Sequence, residues 1–472
     1  MREIIQIQIG QCGNQVGYKF WEKISKEHYL QSDGTLSDLH RISNYSTQKL
    51  EVFFREGKQG KYKARNVLTD IDSESLDYVQ SLGYAQLFDV DNYIFGEQSN
   101  GSNWAKVYHD HGAQVMKYLL ETIRREVERS DSPQGLQLVH SVGGGVGGGL
   151  GSLLIEHLKD DYPKQILESF TVVGSKDQSG ISVEPYNSIL GMEQLIENVD
   201  LVHLFSNSAI FSLLMQEKEK LLFPIEVKEY EDVSYSNLVL CQAISGIISI
   251  YRFPNQLYSS KRSFATAMIP FPRLHFLSSG LTHLPKPDQR IDLKHCLEKK
   301  ILYDEKNFTA YRQVIKRVHC GAYSLNGALL RSGVYMSLMV QFRSSQVAFD
   351  GMILGLINQL RKRAPHNFTS WIPDNVKGSL YFSQDQSEHL VNSATYFGVS
   401  CGIKECLLNL SAQFAEMFNR KEDLQVFIEN GVEEMDLLEA DSNLYDLISD
   451  FQAYSMNYGE EENDQFEVQN LN

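Results

Sequence analysis

A chain of 472 residues and 53.8 kDa, 42% apolar and 22% charged, has length for roughly two to three domains and a core that needs no cross-links. Six scattered cysteines (Cys12, Cys241, Cys296, Cys320, Cys401, Cys406) form no close CxxC pair, which excludes a zinc ribbon or disulfide scaffold and fits reduced thiols in the cytosol. The net charge of −16 is uneven: residues 422–472 hold 15 acidic residues and no Lys or Arg, whereas residues 1–421 sum to −1. Such an end repels nucleic acid; it either offers an acidic face to basic proteins or only keeps the chain in solution. The opening MREIIQIQIG lacks the apolar core of a signal peptide, and no run of about 18 apolar residues occurs, so no membrane partner is expected.

Along the chain, strand-like and helix-like segments alternate. Ile4–Ile9 reads as a strand, Asn14–Ile24 as a helix, Asn66–Asp70 as a short buried strand and 107–128 as a helix. Leu136–Val142 is a strand running into glycines, Leu153–Lys159 a helix and Phe170–Val173 a strand. This alternation predicts an α/β fold with a parallel sheet, ligands binding at the carboxyl ends of its strands. Leu238–Tyr251 is apolar on most of its circumference and is expected to be a buried helix linking two domains. The apolar runs Val334–Val340, Leu380–Phe382 and Ala394–Gly398 suit a second, mixed α/β unit. Ile403, Leu407, Leu410, Phe414 and Met417 define one closing helix; Met435, Leu438, Leu444, Leu447 and Phe451 define another with an acidic side. Beyond Gly459 the chain is polar and expected to be disordered.

Residues 143–151, GGGVGGGLG, hold seven glycines in nine positions between a strand and a helix. Glycine lets backbone approach a ligand, and the following helix N-terminus favours an anion, so the segment reads as a phosphate cradle. No Lys follows, so it is not a P-loop; a GxGxxG match at Gly143, Gly145 and Gly148 is met by almost any glycine run. His109 and His111 have a metal-like spacing without nearby Cys, and no GxSxG elbow occurs.

Six blocks, MREIIQIQIGQCGNQVG, SVGGGVGGGLG, VEPYN, RFPNQL, PFPRLHF and WIPDNVK, together resemble tubulin in order and spacing from residue 1 to about 455. The first residues, IPFPRLHF and the closing helices look closest to β-tubulin. The resemblance implies a tubulin/FtsZ-like fold: a GTP-binding domain (1–216), a core helix and intermediate domain (217–398), C-terminal helices (399–458) and an acidic tail (459–472). It implies GTP or GDP with Mg2+ as ligands. Phosphate and base-region contacts fall on Gln11 and Cys12; the loop of Gly101, Ser102 and Asn103 closes over the γ-phosphate. The cradle is Ser141, Gly144, Gly145, Val146 and Gly147, Glu184 meets the ribose, and Asn207 and Asn237 read guanine. Asp72, following Asp70, stands where the family has Glu and would serve Mg2+ through water.

Departures from the pattern are specific. Val146 and Gly148 replace hydroxyl residues of the cradle, and Gly180 replaces an Asp beside the ribose. The tyrosine that stacks on guanine is replaced by Val233, with Tyr235 two positions away, after a polar insertion near Gln216–Glu231. The loop that reaches the neighbouring subunit's nucleotide carries Asn255, Tyr258, Ser260 and Ser263 in place of the family's residues, with Lys261 and Arg262 expected to put positive charge there. The first reading is a divergent β-like structural subunit of microtubules that pairs with an α-tubulin-like partner and shows its acidic end to motors or associated proteins. It is at most a weak GTPase acting in polymer, located in the cytoplasm and cytoskeleton. The second is a nucleotide-binding capping or basal-body tubulin that does not support lattice growth.

Overall fold

The computed structural model describes residues 2–37, 49–57, 60–97, 101–174, 180–220, 233–253, 260–282, 324–327, 334–344, much of 355–382, and 392–469; side chains are described to Tyr454, apart from 216–220, 233, 382 and 392–393. Ten strands form one sheet in the order β11-β10-β12-β9-β8-β7-β6-β1-β4-β5. These are β1 (Glu3–Ile9), β4 (Asn66–Asp70), β5 (Tyr93–Phe95), β6 (Pro133–Ser141), β7 (Ile166–Val173), β8 (Leu201–Ser206), β9 (Phe276–Leu281), β10 (Leu338–Ser344), β11 (Val376–Phe382) and β12 (Asn392–Gly398). A separate hairpin pairs β2 (Phe54–Glu56) with β3 (Tyr62–Ala64). From β5 to β9 every pairing is parallel; β12 runs antiparallel to both β9 and β10.

All seven residues of β1 are buried, as expected for a central parallel strand covered on both faces. Helices α1 (Gly10–Glu27), α2 (Glu74–Gln80), α3 (Trp104–Lys106), α4 (Gly112–Glu128), α5 (Gly151–Asp161), α6 (Glu184–Asn198) and α7 (Asn207–Lys220) alternate with the strands. The helix expected at 107–128 is longer and contains a π-helical turn at Val107–His111. Strand β10 begins at Leu338, so only the end of the apolar run Val334–Val340 is strand.

The apolar segment around 238–251 is α8 (Val233–Arg252), with Val239, Leu240, Ile244, Ile247 and Ile248 at most 1% exposed. Its far end is fixed by a buried ion cluster. Glu27 of α1 meets Arg252 at 2.7 Å, Arg343 of β10 at 3.6 Å and Lys23 at 3.7 Å, and accepts from Ser245. Burial opposes the charge on Glu27, yet the three cations hold its carboxyl well below the usual range. The cluster joins the first helix, the core helix and the later strands, and β9 pairs directly with β8. The later strands therefore extend the first sheet.

Helix α9 (Lys261–Met268) precedes β9; α10 (Lys404–Arg420), α11 (Leu424–Ile428) and α12 (Glu434–Gln469) close the described chain. The buried face of α12 is Leu437, Ala440, Leu444, Leu447, Ile448 and Phe451; Met435 and Leu438, expected inside, point outward. The backbone stays helical to Gln469, past Gly459, where the composition suggests disorder.

Candidate nucleotide site

Parallel strands deliver their following loops to one edge, so the segments after β1, β4, β5, β6, β7 and β8 share one end of the sheet. The turn from β1 into α1 is made at Gly10, whose φ of +71° an L side chain would strain. Gln11 and Cys12 follow in the first turn of α1, exposed and half-buried.

Ser141 ends β6, and the glycine run passes through a π-helical turn at Val146–Leu150 into α5. The first N–H groups of this helix lack carbonyls in the preceding turn, which makes an anion-binding end. A Cβ at Gly145 would sit 2.4 Å from the Gly101 carbonyl oxygen and 2.6 Å from the Asn103 nitrogen, so the two loops are in backbone contact. A Cβ at Gly144 would meet only Ser141 Oγ, at 3.5 Å, so that residue faces the open side of the cradle. The Val146 methyls fill the gap beside Gly10 and Gly101.

Asn103 caps α3, its Oδ1 accepting from the Lys106 nitrogen at 3.2 Å, while its buried Nδ2 has no protein partner among the described residues. A donor left open beside the cradle fits an anionic ligand there. Two residues that sequence reasoning missed hold the assembly. Asn187, within VEPYN, donates to the carbonyls of Ser102 (2.8 Å) and Gly143 (3.0 Å) and accepts from the Trp104 nitrogen (2.9 Å). His140, in β6, contacts the Gly147 carbonyl through Nδ1 at 2.8 Å and Ser169 Oγ through Nε2 at 2.9 Å. A carbonyl only accepts, so Nδ1 carries the proton and Nε2 accepts. Burial pulls this imidazole down to about 4, so it is neutral near pH 7. A histidine in a buried strand just before the glycines was the available signal.

Asp70 ends β4 and is buried, accepting from Ser75 Oγ at 2.5 Å and from the Ile71 nitrogen at 2.8 Å. Burial pushes its carboxyl up to about 6. Asn14 of α1 donates to the Thr69 carbonyl and to Ser75, fixing this strand end to the first helix. Asp72 accepts from the Glu74 nitrogen at 3.0 Å at the start of α2. No group of three His, Cys, Asp or Glu among the described residues could hold a metal ion. Mg2+ commonly takes one or two carboxylates plus water and phosphate oxygens, a role open to Asp72. His109 is exposed and His111 buried, on the π-turn and outside any such group.

Glu184 opens α6 and is buried, its carboxylate wedged between the backbones of Gly143 and Gly174. Asn207 starts α7, half-buried, and Asn237 is buried near the start of α8. Tyr235 is buried in the first turn of α8. The side chain of Val233, and residues 221–232, lie outside the described residues, as do Asn255 and Tyr258.

At the other end of the sheet, one expectation is corrected. Lys261 carries no charge outward: it is wholly buried and pairs with Glu168 of β7 at 3.0 Å, its backbone nitrogen held by Gln134. Glu168 also meets His203 at 3.2 Å and accepts from Gln137 at 2.6 Å. A lysine flanked by serines looks exposed in sequence, but a buried carboxylate four strand-positions inside the sheet needs a cation. Ser260 caps α9 by accepting from the Ser263 nitrogen at 3.1 Å, which gives both serines a structural role.

Residues 3–215 match the Tubulin/FtsZ family, GTPase domain. The match spans β1 to α7, the segment that carries every loop of the cradle. It supports guanine-nucleotide binding and a cytoskeletal class. No helix among the described residues is long and apolar enough to cross a membrane.

Proposed function

We propose that the chain is a GTP-binding structural subunit of microtubules, β-tubulin-like, which pairs with an α-tubulin-like partner. The observation that carries this is the cradle itself: loops after β1, β5 and β6 locked together by Asn187, with the open Nδ2 of Asn103 beside them, inside the family-matched segment. In this reading Gln11, Cys12, Asn103, Ser141 and residues 144–147 hold phosphates, Glu184 the ribose, Asn207 and Asn237 the guanine, and Asp72 a hydrated Mg2+. Residues 1–216 are the nucleotide domain, 217–398 the core helix and intermediate domain, and the C-terminal helices and tail face motors or associated proteins. The site of action is the cytoplasmic cytoskeleton.

A second reading, a capping or basal-body tubulin, draws support from α9. Ser260 and Ser263 are spent on a helix cap and Lys261 on an internal pair, so this stretch offers neither carboxylate nor free cation to a neighbour. A lattice subunit decorates microtubules along their length, whereas a cap stays at ends.

The direct test is chromatography of the nucleotide released from denatured, purified protein; guanine nucleotide is expected. Asn237→Asp replaces an amide donor with an acceptor and is expected to shift preference from GTP toward xanthosine triphosphate by on the order of tenfold. An unchanged preference places the base elsewhere.

A further inference from the structure

The outward face of α12 carries large apolar side chains that nothing in the described structure covers. Met435 is 59% exposed, Leu438 45% and Tyr445 49%. Their spacings of three and seven put them on one stripe, about 15 Å long at 1.5 Å per residue, opposite the buried Leu437, Leu444 and Phe451. Exposed acids border the stripe: Asp436, Glu439 and Asp446 along one edge, Glu434 along the other. Behind the first edge lies α6, where Glu193 and Glu197 add to the field. Burial and these neighbouring acids together push the Glu193 carboxyl up to about 7.

We propose that this stripe is a docking site for a basic amphipathic helix of another protein, whose apolar side chains lie on Met435, Leu438 and Tyr445 and whose Lys or Arg residues meet the bordering acids. The inference deepens the reading of the C-terminal helices as partner-facing and names the partner's chemistry. Charge selects the occupant. A second copy of this chain would bring acid against acid, and residues 422–472 contain no Lys or Arg to relieve it. Apolar anchors framed by charge are how helix-in-groove recognition combines affinity with orientation. An acidic face without anchors would bind through screened charge alone and release its partner in salt.

The experiment uses the full chain and two fluorescent peptides: a designed helix with a leucine face edged by lysines, and an isomer of the same composition with the leucines scattered. Anisotropy titrations at low salt and at about 0.5 M salt, where screening is strong, separate the two contributions. The designed helix is expected to bind on the order of tenfold tighter than its isomer, with that ratio surviving salt. The double variant Leu438→Asn and Tyr445→Asn is expected to abolish the ratio and leave nucleotide content unchanged, since exposed substitutions perturb stability little. Equal binding of both peptides, lost together in salt, overturns the proposal. So does a dimer in sedimentation that the double variant dissociates. Loss of bound nucleotide in the wild type, with the peptide ratio intact, refutes the function proposed above and leaves this site standing.

Discussion

His140 shows how one side chain ties a strand to the cradle through its protonation state. It donates to Gly147 only while neutral, and burial favours that state. The unfolded chain takes up a proton near pH 6.5, whereas the folded chain does so only near 4. Stability from this group is therefore complete above about pH 6.5 and is lost as pH falls toward 4, by up to about 3 kcal/mol. Urea midpoints across that range, compared with His140→Gln, should show the steeper fall in the wild type. Parallel curves would mean that another group dominates. Asn187 acts at the same scale without titrating, its amide serving three backbone groups from two loops.

The glycine run behaves as a shaped element, with each position under a different constraint. Gly145→Ala drives a methyl into the Gly101 carbonyl and should separate the two loops, lowering nucleotide affinity by on the order of a hundredfold. Gly144→Ala has only Ser141 Oγ at 3.5 Å to meet and should retain most binding. Equal losses in a nucleotide titration would mean that loop contact is not what matters. Helix α9 is an element held by charge. Lys261→Met leaves Glu168 buried without its cation and is expected to cost about 3–5 kcal/mol. Adding Glu168→Gln should recover much of that loss in denaturant unfolding, because the orphaned charge disappears with it.

Across the whole molecule, the first half and the later strands share one sheet, and the Glu27 cluster crosses from α1 to α8 to β10. Binding at the strand ends is thus mechanically connected to the C-terminal helices, since Tyr186 of α6 donates to the Glu422 carbonyl beyond α10. The extreme end stands apart from this core. Deleting residues 459–472 removes five acids from a segment without apolar periodicity and is expected to leave thermal stability and nucleotide content unchanged. The same deletion should weaken salt-sensitive attraction to basic proteins. Lost solubility or lost nucleotide would show that the segment packs.

The α/β class, the order of the first elements and the place of the cradle were legible in the chain because they rest on local rules. Alternation marked β1 and β6, a glycine run between strand and helix marked the anion site, and helical spacing marked α10. Other features depended on partners distant in sequence. Asn187 looks like any helix asparagine until folding brings Ser102 and Gly143 to it, 85 and 44 positions away. Lys261 reads as a surface cation until the sheet sets Glu168 beneath it. Met435 and Leu438 fit an apolar pattern as well as Leu437 and Ala440 do, and only the packing of α12 against α6 and α10 decided which side went inward. Periodicity is a property of neighbours along the chain, whereas burial and pairing are set by neighbours in space; the sequence alone determined the first, and the tertiary structure decided the second.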